Sequence, residues 1–309
     1  MHESAGVNNL SDVRRERAMR FGCQSMIGKI ERVLVKHPRD AYRNDETLSA
    51  QWAGLNYSGC PDYAKAVAEF ENFVALLERF IPEINYLAGN PHVSIDSIYA
   101  HDSVIITNRG AVLCNMTREQ RRGEPAAMAA SMDGLGIPIL GAISGDGRLE
   151  SGDLVWIDER TLAVGRGRRS NDEGIRQLRL LLRDLIDELI VVDLPEPIFH
   201  LMGIISLLDN DLAVIDPLRL PESFRNSLLA RGFKLLEVPP QETATLACNI
   251  LALAPRKCIL LSGNPQSESR LRAEDVEVFT YSGEEISLKG TGGPTCLTRP
   301  LLRIWKPIP

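Results

Sequence analysis

Four stretches decide the fold: SVIITNRGAVLCNM (103–116), LVWIDERTLAVGR (154–166), ISLLDNDLAVID (205–216) and NILALAPRKCILLSG (249–263). Each sets β-branched or Leu-rich arms around a short polar turn: Asn108-Arg109-Gly110, Asp158-Glu159-Arg160, Asp209-Asn210-Asp211 and Pro255-Arg256-Lys257. Such arms and turns are the signature of a β-hairpin. The turns recur about every 50 residues. Behind each hairpin the pattern predicts a helix and then one short strand: 117–133 before IPILGAI, 172–188 before LIVVDL, 221–231 before KLLEVP and 267–274 before VEVFTY. The helix assignments rest on apolar spacing, as at Ile175, Leu178, Leu182, Leu185 and Ile186. They rest also on starts such as Asn171-Asp172-Glu173, whose short polar side chains cap free backbone N–H groups.

A strand-strand-helix-strand unit cannot bury both its faces alone, so the repeat predicts a closed α/β propeller of equivalent modules rather than an open α/β sandwich. A fifth module assembles from the two chain ends. IERVLVKHP (30–38), the amphipathic stretch 63–80 and INYLA (84–88) supply strand, helix and strand, and CLTRPLLRI (296–304) supplies the strand that closes the ring. Closure leaves no open edge for pairing with another chain. The expected organisation is an N-terminal leader over 1–29 and one domain over 30–309.

Composition narrows the function classes. The 309 residues are 44% hydrophobic and 25% charged, an ordinary globular balance that excludes disordered and collagenous chains. With 35 basic against 41 acidic residues the net charge is −6, and no basic tract offers a nucleic-acid surface. Six scattered cysteines without a CxxC pair exclude a zinc ribbon and a redox dithiol. A polar first segment and the absence of a run of about 20 apolar residues point to a soluble, cytoplasmic protein without membrane contact. In the leader, Asp12, Glu16 and the arginines 14, 15, 17 and 20 read as a solvated helical face.

In a radial array, the starts of the hairpins' first strands meet at one end of a central channel. The polar residues at those starts are Asp102, Glu150, Asp153, His200 and Asn249, with Cys296 in the closing strand. Singly, His200 between Phe199 and Leu201 also reads as a core histidine, and Cys296 as a small hydrophobe; their common register is what raises them together. Gly290, Gly292 and Gly293 beside Cys296 are expected to permit positive φ and to bring backbone N–H groups to the sulfur, favouring thiolate. His200 suits general acid–base work, and Glu150 suits orienting its imidazole. Asp102 suits a planar guanidinium, which a carboxylate matches by two parallel hydrogen bonds. Strand alternation turns Cys248 to the opposite face, buried and inert. Trp52, Asn56 and Tyr57 read either as an ordinary surface loop or as a loop over the channel mouth.

These residues carry a resemblance to the guanidino-group modifying enzymes of the pentein fold: arginine deiminases, dimethylarginine dimethylaminohydrolases and amidinotransferases. The matching pieces are YAHDSVI around Asp102, LESGD ending at Asp153, GRGRRSNDEG around Arg169, FHLMG at His200, ACN ending at Asn249 and GTGGPTCLTRP at Cys296. The resemblance implies a five-bladed pseudo-symmetric α/β propeller, the pentein fold, over nearly the whole chain. It also implies a covalent mechanism with Cys296, His200 and Glu150 as catalytic groups. Asp102 and Asp153 would hold the guanidinium of a small-molecule substrate, Arg169 its α-carboxylate, and Asn249 would belong to the binding site. No metal or organic cofactor is implied. Departures are His101 where relatives carry Arg, Ser151 where they carry Gly, and Ser170-Asn171 where they carry Thr-Asn. Met202 stands where arginine deiminases and amidinotransferases carry Asp, which favours a substituted terminal nitrogen. Three readings remain open here: a hydrolase of the guanidino C–N bond, releasing ammonia or an amine and a ureido product such as citrulline; an amidinotransferase; and a non-catalytic binding protein on the same scaffold. A homo-oligomer is compatible with each.

Overall fold

Five three-stranded sheets share one wiring: the first strand runs antiparallel to the second, and the second parallel to the third. The structure, a computed structural model, describes residues 20–304. The four internal modules are Val104–Thr107, Gly110–Leu113 and Ile139–Ala142; Leu154–Trp156, Thr161–Arg166 and Glu188–Asp193; Ile205–Asp209, Leu212–Ile215 and Lys234–Glu237; and Leu251–Ala254, Lys257–Leu261 and Glu277–Tyr281. The fifth is built from both ends, with Thr298–Ile304 antiparallel to Lys29–Val35, which runs parallel to Glu83–Tyr86. The arrangement is the closed array of five equivalent modules that the repeat predicts.

Burial separates inner from outer strands. Val104–Thr107 and Leu212–Ile215 are buried throughout, whereas Ile139–Ala142 and Lys234–Glu237 show exposed residues at both ends. The helices cover the sheets by their apolar stripes. Tyr63–Glu78 starts where the Asp62 side chain accepts from Lys65 N, and it buries Ala66, Phe70, Phe73, Val74 and Leu77, one face at helical spacing.

Two helices are shorter than expected. The segment 117–133 is helical only from Glu124. Ahead of it, Thr117 N donates to Glu150 and Thr117 Oγ1 to the Arg169 carbonyl, which ties the chain to the neighbouring module instead of to a helical turn. Pro125, without an N–H, then suits the first turn of the delayed helix. The helix expected over 172–188 ends at Leu181. Leu182, Leu185 and Ile186 keep the apolar spacing because the turn that carries them packs into the same core.

Part of the expected leader is built into the propeller. Gly22 pairs with the closing strand through Gly22 N to Leu301 O (2.8 Å) and Arg303 N to Gly22 O (2.8 Å). Gln24 donates to Glu159 O and accepts from Asn108 N, bridging two hairpin turns. The charged face at Asp12 and Glu16 lies outside the described residues. Among the described residues no helix is long and apolar enough to cross a membrane.

Leu301 is fully buried in the closing strand. Leu301→Ala is expected to lower unfolding free energy by about 2–5 kcal/mol in denaturant titrations; a change within measurement error would show that ring closure does not depend on this packing.

Candidate active site

Short turns just ahead of the first strands position the polar residues. Glu150 precedes a 3₁₀ turn at Ser151–Asp153, and His200 precedes another at Leu201–Gly203. Their backbones are laced between modules: His101 N donates to Cys296 O (3.2 Å) and Ser151 N to Asp102 O (2.8 Å). Thr295 Oγ1 donates to Ile250 O (2.9 Å), joining the last hairpin to the closing strand.

A cavity of about 180 Å³ opens at this end, and Asp102, Arg169, His200 and Cys296 all line it. His200 Nε2 lies 2.9 Å from Glu150 Oε2. Glu150 is fully buried and also meets Arg169 Nη1 (3.2 Å to each oxygen). Burial opposes its ionisation, but the hydrogen bond and charge of His200, with Arg169, hold it well below the usual carboxylate range. Burial likewise opposes a charged His200, yet Asp102, Glu150 and Asp153 outweigh it and raise its pKa. Glu150 thus keeps an imidazolium within reach at neutral pH.

Asp102 is divided between an internal and an open partner. Its Oδ2 accepts from Arg121 Nη1 (2.7 Å), while its buried Oδ1 has no partner. Burial pushes its carboxyl up, but His200 and Arg121 bring it below the ordinary value, so it stays ionised. Asp102, with one carboxylate oxygen unpartnered, therefore lines the same cavity as the Cys296 thiol. Asp102, Glu150 and His200 place one ligand atom each within 4.8 Å of one another. The arginines already bound to both carboxylates make the set better suited to a guanidinium than to a metal ion.

Asn249 and Asp153 do not line the cavity. Asn249 holds the Cys296 thiol instead: its Nδ2 donates to Cys296 Sγ (3.2 Å), and its Oδ1 accepts from Thr295 N (3.2 Å). Asp153 has both oxygens engaged, Oδ2 by Ser170 Oγ (2.6 Å) and Oδ1 by Leu201 N (3.1 Å). It ties the turn of His200 to the turn of Arg169. Met202 also faces away, lining the central channel.

Two expectations about the thiol change. Gly290, Gly292 and Gly293 keep ordinary φ, and Thr291 takes the left-handed conformation (φ 62°). The glycines are required by close approach: a Cβ on Gly290 or Gly292 would strike Tyr99, and one on Gly293 would strike Asn249. The Cys296 thiol is pushed up to about 12 by burial and by Asp102, against the pull of Asn249 and the Gly293 backbone. In the empty cavity it is a thiol. The other buried cysteines include Cys248, whose sulfur points to Val214 O (3.6 Å), whereas Cys60 is exposed.

The comparisons with known proteins agree with this geometry. A model of the family described as N,N dimethylarginine dimethylhydrolase, eukaryotic, matches residues 41–303. The chain belongs to that family. It is a pentein-superfamily hydrolase of the guanidino C–N bond. The N(G),N(G)-dimethylarginine dimethylaminohydrolase of Pseudomonas aeruginosa is 26% identical over 247 residues, 79% of this chain and 91% of the relative. The citrulline complex of that dimethylarginine dimethylaminohydrolase superposes with a TM-score of 0.72 at 21% identity, covering 89% of this chain and 100% of the other. An amidinotransferase from Microseira wollei shares the fold with a TM-score of 0.73 at 15% identity, covering 93% and 98%.

Among the cavity residues, the charged groups Asp96, Arg118 and Arg121 escaped the sequence reading, and Phe199 entered it only as the neighbour of His200. Arg118 Nη1 donates to Leu55 O (2.8 Å) and meets Asp96 (3.4 Å), and Arg121 is held bidentately by Glu124 (2.8 Å each). The Phe199 ring lies 5.4 Å from the Arg169 guanidinium. The Arg-x-x-Glu spacing at 121–124 was the one available signal, and it reads equally as an exposed helical pair. Leu55 and Asn56 form part of the cavity wall, while Tyr57 is buried behind it.

Burial raises the Asp153 pKa from 3.8 to about 7. The native state therefore keeps a proton that the unfolded chain releases, and this contribution to stability falls as pH rises between those values. Asp153→Asn is expected to flatten that fall in denaturant titrations at pH 4 and pH 7; an unchanged slope would reject the assignment.

Proposed function

We propose that this chain hydrolyses an N-substituted arginine, such as a methylated arginine, to citrulline and an amine through a covalent adduct on Cys296. The observation that carries the reading is one cavity lined by the Cys296 thiol, the His200 imidazole that Glu150 orients, and the open oxygen of Asp102. The family match and the relative named for dimethylarginine support the substrate class. Along the same cavity wall, Arg118 and Arg169 suit an α-carboxylate and Asp96 an α-ammonium group, the polar groups of a free amino acid.

Binding and activation are then coupled. The substrate guanidinium docks on Asp102 Oδ1 and brings a positive charge to the sulfur, which offsets the burial and the Asp102 charge that keep the thiol protonated. The thiol loses its proton to solvent as the cation arrives. The thiolate attacks the central guanidinium carbon, forming a C–S bond. The C–N bond to the substituted nitrogen breaks as His200 passes its proton to the leaving amine. Water then gives a proton to His200 and attacks the same carbon. As the C–S bond breaks and the carbonyl forms, the hydroxyl proton of the adduct passes to the departing sulfur and restores the thiol; the ureido product leaves, and water's first proton remains on His200 for the next cycle.

The test is an assay of arginine and methylated arginines for ureido product and released amine, with and without an added amine acceptor. Turnover that needs the acceptor and yields no ureido product would assign an amidinotransferase instead. Cys296→Ser is expected to lose turnover by on the order of 10³-fold or more. Arg118→Ala is expected to raise KM about tenfold with little change in kcat, since it binds ground and transition states alike; a loss confined to kcat would remove Arg118 from the binding role.

A further inference from the structure

Asp102, Arg121 and Glu124 form a buried row of charges, each at most 5% exposed, of which the mechanism uses only the first. Arg121 Nη1 donates to Asp102 Oδ2 (2.7 Å). Glu124 takes the other edge of the same guanidinium, with Nε on Oε1 and Nη2 on Oε2 (2.8 Å each). The Nη2 group also donates to Tyr99 O (3.3 Å). Arg121 ends the 3₁₀ turn Glu119–Arg121 and Glu124 opens the helix Glu124–Gly134, so both partners sit on ordered backbone three residues apart.

A guanidinium prefers to meet a carboxylate by two parallel hydrogen bonds, which occupy both oxygens. Asp102 receives only one from Arg121, and its buried Oδ1 has no partner. Three bonds to Glu124 and Tyr99 turn the paired edge of Arg121 away and leave a single nitrogen for Asp102. The unpartnered oxygen lies beside the imidazole: a Cβ added at Gly152 would stand 2.9 Å from Asp102 Oδ1 and 2.8 Å from His200 Nδ1. A buried acceptor without a donor costs free energy, which a donor-bearing ligand recovers. Burial pushes the Glu124 carboxyl up to about 7 against the pull of Arg121, and the charges of Asp96 and Asp102 add to the rise. Its remaining charged neighbour is the fully buried Lys36, whose ammonium form Glu124 favours. At pH 8 the carboxylate that accepts both bonds from Arg121 prevails.

We propose that Glu124 is a positioning residue for guanidinium recognition: by engaging two nitrogens of Arg121 it keeps that side chain from forking onto Asp102 and reserves Asp102 Oδ1 for the planar cation of the substrate. The inference rests on the reading of Asp102 as the acceptor of that cation. Without Glu124, the paired edge of Arg121 turns to both oxygens of Asp102 and stands where the substrate guanidinium docks. Glu124 touches neither substrate nor sulfur and acts only through Arg121.

The test uses the full-length protein at pH 8 and needs no turnover. Cys296 is alkylated with chloroacetamidine, a planar amidinium cation, and with chloroacetamide, its neutral counterpart, the sulfur displacing chloride from each. Adducts are quantified at Cys296 by peptide mass analysis, because Cys60 is exposed. The ratio of the two rates reads recognition of the cation and divides out access to the sulfur. In Glu124→Gln this ratio is expected to fall about tenfold, while the chloroacetamide rate stays within about twofold of wild type. Adding Arg121→Lys, whose ammonium cannot fork, is expected to return the ratio to within about threefold of wild type. The double variant is read in this way whether or not the single one folds. A double variant still about tenfold low, or an equal fall of both rates in Glu124→Gln, would overturn the proposal. A cation preference that Glu124→Gln leaves intact overturns the role of Glu124 alone, whereas a wild type without that preference overturns the reading of Asp102 as well.

Discussion

The pairing of Lys29–Val35 with Thr298–Ile304 is the constraint on which the rest of the molecule depends. It closes five modules into a ring, and it brings Cys296, two residues ahead of the closing strand, onto the same rim as His200 from a module nearly a hundred residues earlier in the chain. Hydrogen bonds then run around that rim. Cys296 O meets His101 N, Asp102 O meets Ser151 N, Asp153 meets Leu201 N, and Asn249 meets Cys296. Each contact links one module to the next, so the reacting groups are held by closure itself and not by any one element. A loop carrying the same residues would have to be ordered at a cost in conformational entropy.

Charge is the second organising quantity. Burial raises the pKa of Asp153 and Cys296 and opposes ionisation of Asp102 and Glu150 as well. The outcome differs residue by residue because the neighbours differ. Glu150 has a histidine and an arginine in direct contact and stays charged, whereas Asp153 has only neutral hydrogen-bond donors and burial lifts it to about 7. Two chemically equal carboxyls, three residues apart, thereby take opposite roles: one sustains an imidazolium, the other fastens two turns. Burial and the neighbouring Asp102 likewise raise the Cys296 thiol, while Asp102 itself stays ionised.

Much of this was legible in the chain. The hairpins at 103–116 and 205–216 announced themselves by alternating arms around polar turns, a local signal. Their recurrence exposed the ring, and register on the ring pointed to the rim residues. Other features were not legible for physical reasons. The late start of the helix at Glu124 follows from hydrogen bonds that Thr117 makes to residues of the next module, which no local pattern records. The continued apolar spacing at Leu182, Leu185 and Ile186 reports burial, and a buried turn shows it as well as a helix does. The glycines beside Cys296 read as freedom of φ, but they are demanded by the nearness of Tyr99, a residue almost two hundred positions away.

By itself the sequence determined the module, its number of repeats and the set of residues able to meet at one rim, because strand alternation, turn chemistry and helix capping act over a few residues at a time. Only the tertiary structure decided which of those residues face the cavity and in what protonation state. It turned Asp153 and Asn249 into supports, placed Arg118 and Arg121 beside Asp96 and Asp102, and kept Cys296 as a thiol. Those outcomes depend on desolvation and on charges brought within a few ångströms by ring closure, quantities that exist only once distant segments are packed together.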